Sequence, residues 1–97
     1  MSKTKENILR IIGKNRNQLK KFGVKRLALF GSCARNQASA TSDIDFLVEF
    51  ETKSFDAYMG LKELLEGLFS CHVDLVLSNT IKPRLKPIIL KGLVNAA

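Results

Sequence analysis

The chain has 97 residues and a mass of 10.8 kDa, with 45% hydrophobic residues, 16 Lys and Arg against 9 Asp and Glu, and a formal charge of +7. This is the size of one compact domain, residues 1–97, and the composition of a globular protein. It excludes a disordered tail and a membrane-spanning chain, because no apolar run approaches the ~20 residues a span requires.

From about Lys5 to Phe22, the residues Ile8, Ile11, Ile12, Leu19 and Phe22 recur at helical spacing opposite Arg10, Lys14, Asn17 and Lys21. This pattern predicts one amphipathic helix stopped by Gly23. VKRLALF (Val24 to Phe30) reads as a buried strand that runs into a tight turn at Gly31-Ser32. A polar loop, NQASATS, leads from there into DIDFLVEF (Asp43 to Phe50). Its alternation sends Ile44, Phe46, Val48 and Phe50 to one face and Asp43, Asp45, Leu47 and Glu49 to the other.

Ser54 is placed to cap a helix from about Phe55 to Phe69, with Tyr58, Leu61, Leu64, Leu65 and Leu68 as its apolar stripe. HVDLVL (His72 to Leu77) reads as a third strand, and a last helix is expected to start near Pro83 or Pro87 and end around Gly92. The fold class is therefore α/β, a small mixed three-stranded sheet covered by helices.

Charge is distributed unevenly along this order: +8 over residues 1–26, −5 over 27–77 and +4 over 78–97. An acidic centre between basic flanks suits a metal site with a polyanionic ligand, although a charge run by itself is as well explained by a solvated surface. With no apolar leader segment or small-residue cleavage site at the amino end, and only Cys33 and Cys71 as thiols, the expected location is cytoplasmic and both cysteines are expected to be reduced.

The residues that carry chemistry are Gly31-Ser32, then ten residues, then Asp43-x-Asp45, and a third acid, Asp74, inside an apolar strand. A Gly-Ser turn directly after a strand lets backbone N–H groups and a hydroxyl approach phosphate oxygens with no Cβ in the way. Side chains at i and i+2 of a strand stand ~6.6 Å apart and point the same way, close enough to share cations. Unneutralised at ~6 Å and an effective dielectric of ~20, two carboxylates repel by roughly 3 kcal/mol, a cost that a purely structural strand avoids. Asp is disfavoured in strands, and here the rule is broken three times in apolar segments. Hard oxygen ligands without clustered His or Cys select Mg²⁺, or Mn²⁺, over zinc, and a pair of such ions clamps an in-line phosphoryl displacement.

GSCARNQASATSDIDFLV followed by HVDLVL resembles the minimal nucleotidyltransferase (MNT) family of the polymerase-beta-type superfamily, over nearly the whole chain. The resemblance implies a palm-like fold in which Gly31 and Ser32 hold the triphosphate of ATP and Asp43 and Asp45 hold two Mg²⁺ ions. Asp74 would share a metal and draw the proton from the attacking hydroxyl. It also implies the transfer of AMP to a hydroxyl, with a helical HEPN-type toxin as partner and the chain as its antitoxin. The family commonly has Ala-Arg-Gly after the Gly-Ser turn; here Ala34-Arg35 is followed by Asn36, which leaves Arg35 either a phosphate contact or an ordinary salt bridge.

Other residues have ordinary readings beside functional ones. His72 lies two residues before Asp74 and shares its face, yet a lone strand His is more often structural. Cys33 in the phosphate turn reads as an inert small residue, and Tyr58 as core. Lys82, Arg84 and Lys86 either steer a triphosphate or partner or are a solvated surface. Two alternatives stay open: an antitoxin that acts by binding alone, and a transferase acting on a small molecule. A nucleic-acid-binding module is disfavoured by the lack of aromatic platforms, and a template polymerase by the lack of residues for a nucleic-acid channel.

Overall fold

The computed structural model describes residues 4–35, 43–52, 54–84, 86–90 and 92–97. The chain runs α1 (Lys5–Lys14), α2 (Arg16–Lys21), β1 (Val24–Phe30), α3 (Gly31–Ala34), β2 (Ile44–Phe50), α4 (Phe55–Phe69), β3 (Val73–Leu77), a 3₁₀ turn (Ser78–Thr80), α5 (Lys86–Leu90) and β4 (Val94–Asn95). The strands form one mixed sheet in the order β3-β2-β1-β4, with β2 and β3 parallel and the other pairs antiparallel. The expected α/β class holds.

The single amphipathic helix predicted over Lys5 to Phe22 is instead two helices broken at Asn15. The Asn15 side-chain amide donates to the Ile11 carbonyl (2.8 Å) while its backbone N–H turns to Ile12. A side chain that competes for helical carbonyls in this way interrupts the ladder, although the apolar stripe continues past the break. The second helix stops at Gly23, whose φ of +77° is open to glycine at little cost.

The expected three strands are joined by a fourth, β4, only two residues long and too short to show periodicity. It pairs with β1 through Ala28↔Asn95 and Leu29↔Val94, and Ala96 and Ala97 extend the contact by donating to the Leu27 carbonyl. The tight turn expected after β1 is a single helical turn, α3. The strand expected from Asp43 begins one residue later, at Ile44. The predicted loop NQASATS lies outside the described residues.

The register explains which face is which. Leu27↔Val48 and Leu29↔Phe46 align between β1 and β2, and Ile44↔Val73 and Phe46↔Leu75 between β2 and β3. These residues are buried with Ile8, Ile12, Leu19, Leu61, Leu65 and Phe69 of the helices. Burying each such side chain contributes ~1.5–3 kcal/mol, so one sheet face is committed to the helical layer. The alternate positions Ala28, Leu47, Asp45 and Asp74 project from the second face.

Helix α4 also guards the outer margin of the sheet. Ser54 caps it as expected, its hydroxyl accepting from the Ala57 N–H at 3.2 Å. On β3, the edge strand, the Val73 N–H donates to Glu66 Oε2 (3.1 Å) and the Leu75 carbonyl accepts from the Tyr58 hydroxyl (2.6 Å). Leu61, Leu65 and Phe69 form the buried line of α4, whereas Tyr58, Leu64 and Leu68 are half-buried, a rotation of the predicted stripe by part of a turn.

Candidate active site

Three elements bring the singled-out residues together on the second sheet face. β1 delivers the chain to Gly31, and Phe30 is in register with Asp45 of β2. Gly31 has φ +75°, and a Cβ built there would run into the Asp45 carboxylate. Backbone and carboxylate thus meet at a position only glycine fills. On the other side, Asp45 is in register with Asp74 of the parallel strand β3. The three residues come from distant points of the sequence and lie across three adjacent elements.

The electrostatics follow from that crowding. Partial burial raises the Asp45 carboxyl above its ordinary value of 3.8, the neighbouring charges of Asp74 and Asp43 raise it further, and the Arg35 guanidinium opposes them. Arg35, the residue that closes α3, therefore stands within electrostatic reach of Asp45. Ser32 is half-buried in α3.

Asp43 is exposed and held from two sides. Its carboxylate Oδ2 lies 3.5 Å from His72 Nδ1, and its backbone carbonyl accepts from the buried Cys33 thiol at 3.9 Å. The Ile44 N–H bonds the His72 carbonyl (3.3 Å) where the parallel pair begins, bringing the two chains together there. Cys33 is thus a core residue that also touches the backbone of Asp43, and His72 meets the carboxylate of Asp43. Neither contact is visible in the spacing, because the His72 contact depends on the β2–β3 register and the Cys33 contact on the β1–β2 pairing. Lys82, Arg84 and Lys86 are solvent-exposed at the turn that enters α5.

The donor set of Asp43, Asp45 and Asp74 fits a hard divalent cation, since a positive ion would relieve the mutual repulsion that raises Asp45. Among the described residues no three His, Cys, Asp or Glu side chains close into a ready-made ligand cluster.

Residues 9–94 match the nucleotidyltransferase domain family. The chain belongs to that family. A Thermococcus cleftensis relative, the protein adenylyltransferase MntA, is 36% identical over 93 residues, 94% of each chain. A solved structure described provisionally as a minimal nucleotidyltransferase superposes with a TM-score of 0.81 at 32% identity, covering 94% of both chains. The complex of a tri-AMPylated Shewanella oneidensis HEPN toxin with an MNT antitoxin matches with a TM-score of 0.58 at 22% identity, covering 89% of this chain and 71% of that one, and shows the shared fold. The nucleotidyltransferase class and the minimal-transferase resemblance read from Gly31-Ser32, Asp43-x-Asp45 and Asp74 are borne out. Among the described residues no helix is long and apolar enough to cross a membrane.

Proposed function

We propose that residues 1–97 work as one nucleotidyltransferase domain that moves AMP from ATP to a hydroxyl of a partner protein, a HEPN-type toxin for which this chain is the antitoxin. The observation that carries the reading is the meeting of Gly31, Asp45 and Asp74: a backbone cradle without a Cβ set against two carboxylates in register. The adenylyltransferase name of the MntA relative and the toxin complex among the structural neighbours support the choice of nucleotide and partner.

In this reading the backbone around Gly31 and the Ser32 hydroxyl receive the β- and γ-phosphates, and Arg35 adds positive charge beside them. Asp43 and Asp45 would hold two Mg²⁺ ions, with Asp74 sharing one. When bound, the ions supply charge neutralisation at the attacking and leaving oxygens. The acceptor oxygen forms its bond to the α-phosphorus, the bond from that phosphorus to the β-phosphate oxygen breaks, and pyrophosphate departs. Asp74 takes the proton released by the hydroxyl. Most of the chemistry is positioning, and the partner supplies the acceptor in line.

Incubating the chain with a HEPN protein encoded beside it, Mg²⁺ and each of ATP, CTP, GTP and UTP, followed by intact-mass measurement, tests this. The expected result is one or more AMP groups on the partner with ATP alone. The second reading is an antitoxin that acts by binding only. A partner bound tightly yet unmodified with all four nucleotides would establish it.

Gly31→Ala is a separate check on the cradle. A left-handed backbone costs a residue with a Cβ ~1–2 kcal/mol, and the new methyl would meet Asp45. Affinity for ATP should fall about tenfold or more, as read by calorimetric titration, equivalent to at least ~1.4 kcal/mol. Unchanged affinity would remove Gly31 from the phosphate site.

A further inference from the structure

The two carboxylates in register across β2 and β3 are not held equally. Asp45 lies on β2, which has a paired strand on both sides, whereas Asp74 lies on β3, at the edge of the sheet, with a paired strand on one side. An edge strand leaves half of its backbone groups without a sheet partner and opens at lower cost than an interior one. Asp74 is also exposed. A proton acceptor in that place needs support from outside the sheet, since a misplacement of ~1 Å at a reacting group costs as much as ~10²-fold in rate.

The register shows where that support arrives. The Ile44 N–H bonds the His72 carbonyl at 3.3 Å, and along a strand alternate residues turn their backbone groups to the same side. His72, Asp74 and Val76 therefore direct their N–H and C=O groups to β2, and Val73 and Leu75 direct theirs outward. The outward Val73 N–H donates to Glu66 Oε2 at 3.1 Å, and the outward Leu75 carbonyl accepts from the Tyr58 hydroxyl at 2.6 Å. Both side chains belong to α4, and both bonds land on a residue next to Asp74. The strand is thus gripped by β2 at Asp74 and by the helix on either side of it.

Packing alone does not demand these contacts. Tyr58 and Glu66 are half-buried, and Phe would fill the apolar stripe of α4 as well as Tyr does, so it is the hydroxyl that selects the β3 backbone. The bond from Val73 to a carboxylate is of the stronger, charge-assisted kind. Leu61 and Leu65, fully buried between the two residues in sequence, fix the helix from which both reach out. A reacting group supported through a rigid element in this way is held more closely than one on a free edge.

We infer that Tyr58 and Glu66 are positioning residues for the transfer: through the β3 backbone they hold the Asp74 carboxylate where it takes the proton of the acceptor hydroxyl. The inference rests on the transferase reading and adds to it two residues on the helical side of the sheet, away from the acids. A purely structural role and a positioning role differ in one respect. Loss of a structural bond weakens the fold whatever stands at position 74, whereas loss of a positioning bond slows the reaction only while the Asp74 carboxylate is present.

The test measures single-turnover transfer of labelled AMP from ATP, with Mg²⁺, to the HEPN protein encoded beside the full chain, together with ATP affinity by calorimetry and fold by circular dichroism. Tyr58→Phe, which keeps the ring, and Glu66→Ala, which keeps the helix, should each slow transfer about fivefold or more while ATP affinity stays within about twofold of the wild type. Glu66→Gln retains an oxygen for the Val73 N–H and should recover most of the loss. In Asp74→Asn, adding Tyr58→Phe should alter the residual rate less than about twofold, because no carboxylate is left to misplace. Should one variant lose its fold, the other carries the same cycle. Losses that multiply with that of Asp74→Asn, wild-type rates in Tyr58→Phe and Glu66→Ala, equal losses in Glu66→Gln and Glu66→Ala, or unfolding of both variants would overturn the inference and leave the transferase reading in place. A wild type that transfers no AMP would overturn both.

Discussion

Asp45→Asn is expected to lower nucleotide transfer by at least ~10²-fold with the fold intact, as measured by product mass for activity and by circular dichroism for structure. Asp45 is the carboxylate with neighbours on every side: Gly31 backbone at one flank, Asp74 in register at the other, and Asp43 two residues before it. Asn keeps the shape of the side chain but lacks the negative charge that attracts a cation. The same substitution at Asp43 should act in the same direction.

The metal-free protein gives an independent readout. Because the Asp45 carboxyl is raised in the folded state, by burial first and by Asp74 and Asp43 next, the folded chain binds that proton more tightly than the unfolded chain does. Stability from this group is full at low pH and is lost as pH rises from about the ordinary 3.8 through the raised native value. Asp45→Asn should flatten that decline, so that without metal at pH 7 the variant is as stable as the wild type or more so. Urea unfolding at several pH values measures it. Mg²⁺ plus ATP should restore stability to the wild type and not to the variant. A variant that unfolds, together with a wild type indifferent to Mg²⁺ and ATP, would remove Asp45 from the metal site.

Asp74→Asn should separate binding from chemistry. Its place beside Asp45 gives it a share in the ligand set, but its exposure on the edge strand leaves it open to an incoming hydroxyl. ATP should still bind within a few-fold of the wild type while the transfer rate falls ~10²-fold or more, in line with the usual contribution of a positioned proton acceptor. His72→Ala is the control. His72 touches Asp43 across 3.5 Å with both side chains more than half exposed, and such a pair is worth little. Its loss should change the rate less than about threefold. Equal rates for Asp74→Asn and the wild type would exclude Asp74 from proton transfer.

The parts of the fold that were legible in the chain are those set by local rules. The Ser54 cap, the Gly23 stop and the alternation of Ile44 to Phe50 are each decided by a few neighbouring residues, and each appears where the pattern put it. What local rules miss is set by pairing. The break at Asn15 depends on one side chain choosing a carbonyl, and β4 exists because β1 offers it an edge. The same division holds at the site. Asp43, Asp45 and Asp74 are conspicuous as acids in strands, but the closure of Gly31 onto Asp45 and the Cys33 and His72 contacts to Asp43 come from register alone.

The hydrogen bonds from β3 to α4 bear on how this sheet meets other chains. Along an edge strand the outward N–H and C=O groups form a ready template for a further strand, which is how many proteins recruit extended peptides or aggregate. Here the Val73 N–H is occupied by Glu66 and the Leu75 carbonyl by Tyr58, so a peptide approaching β3 would have to displace both side chains before its own backbone could pair. Strand addition is closed on that margin at two positions out of five residues. The one tyrosine of the chain thus does more than fill an apolar stripe, because its hydroxyl keeps the sheet from growing.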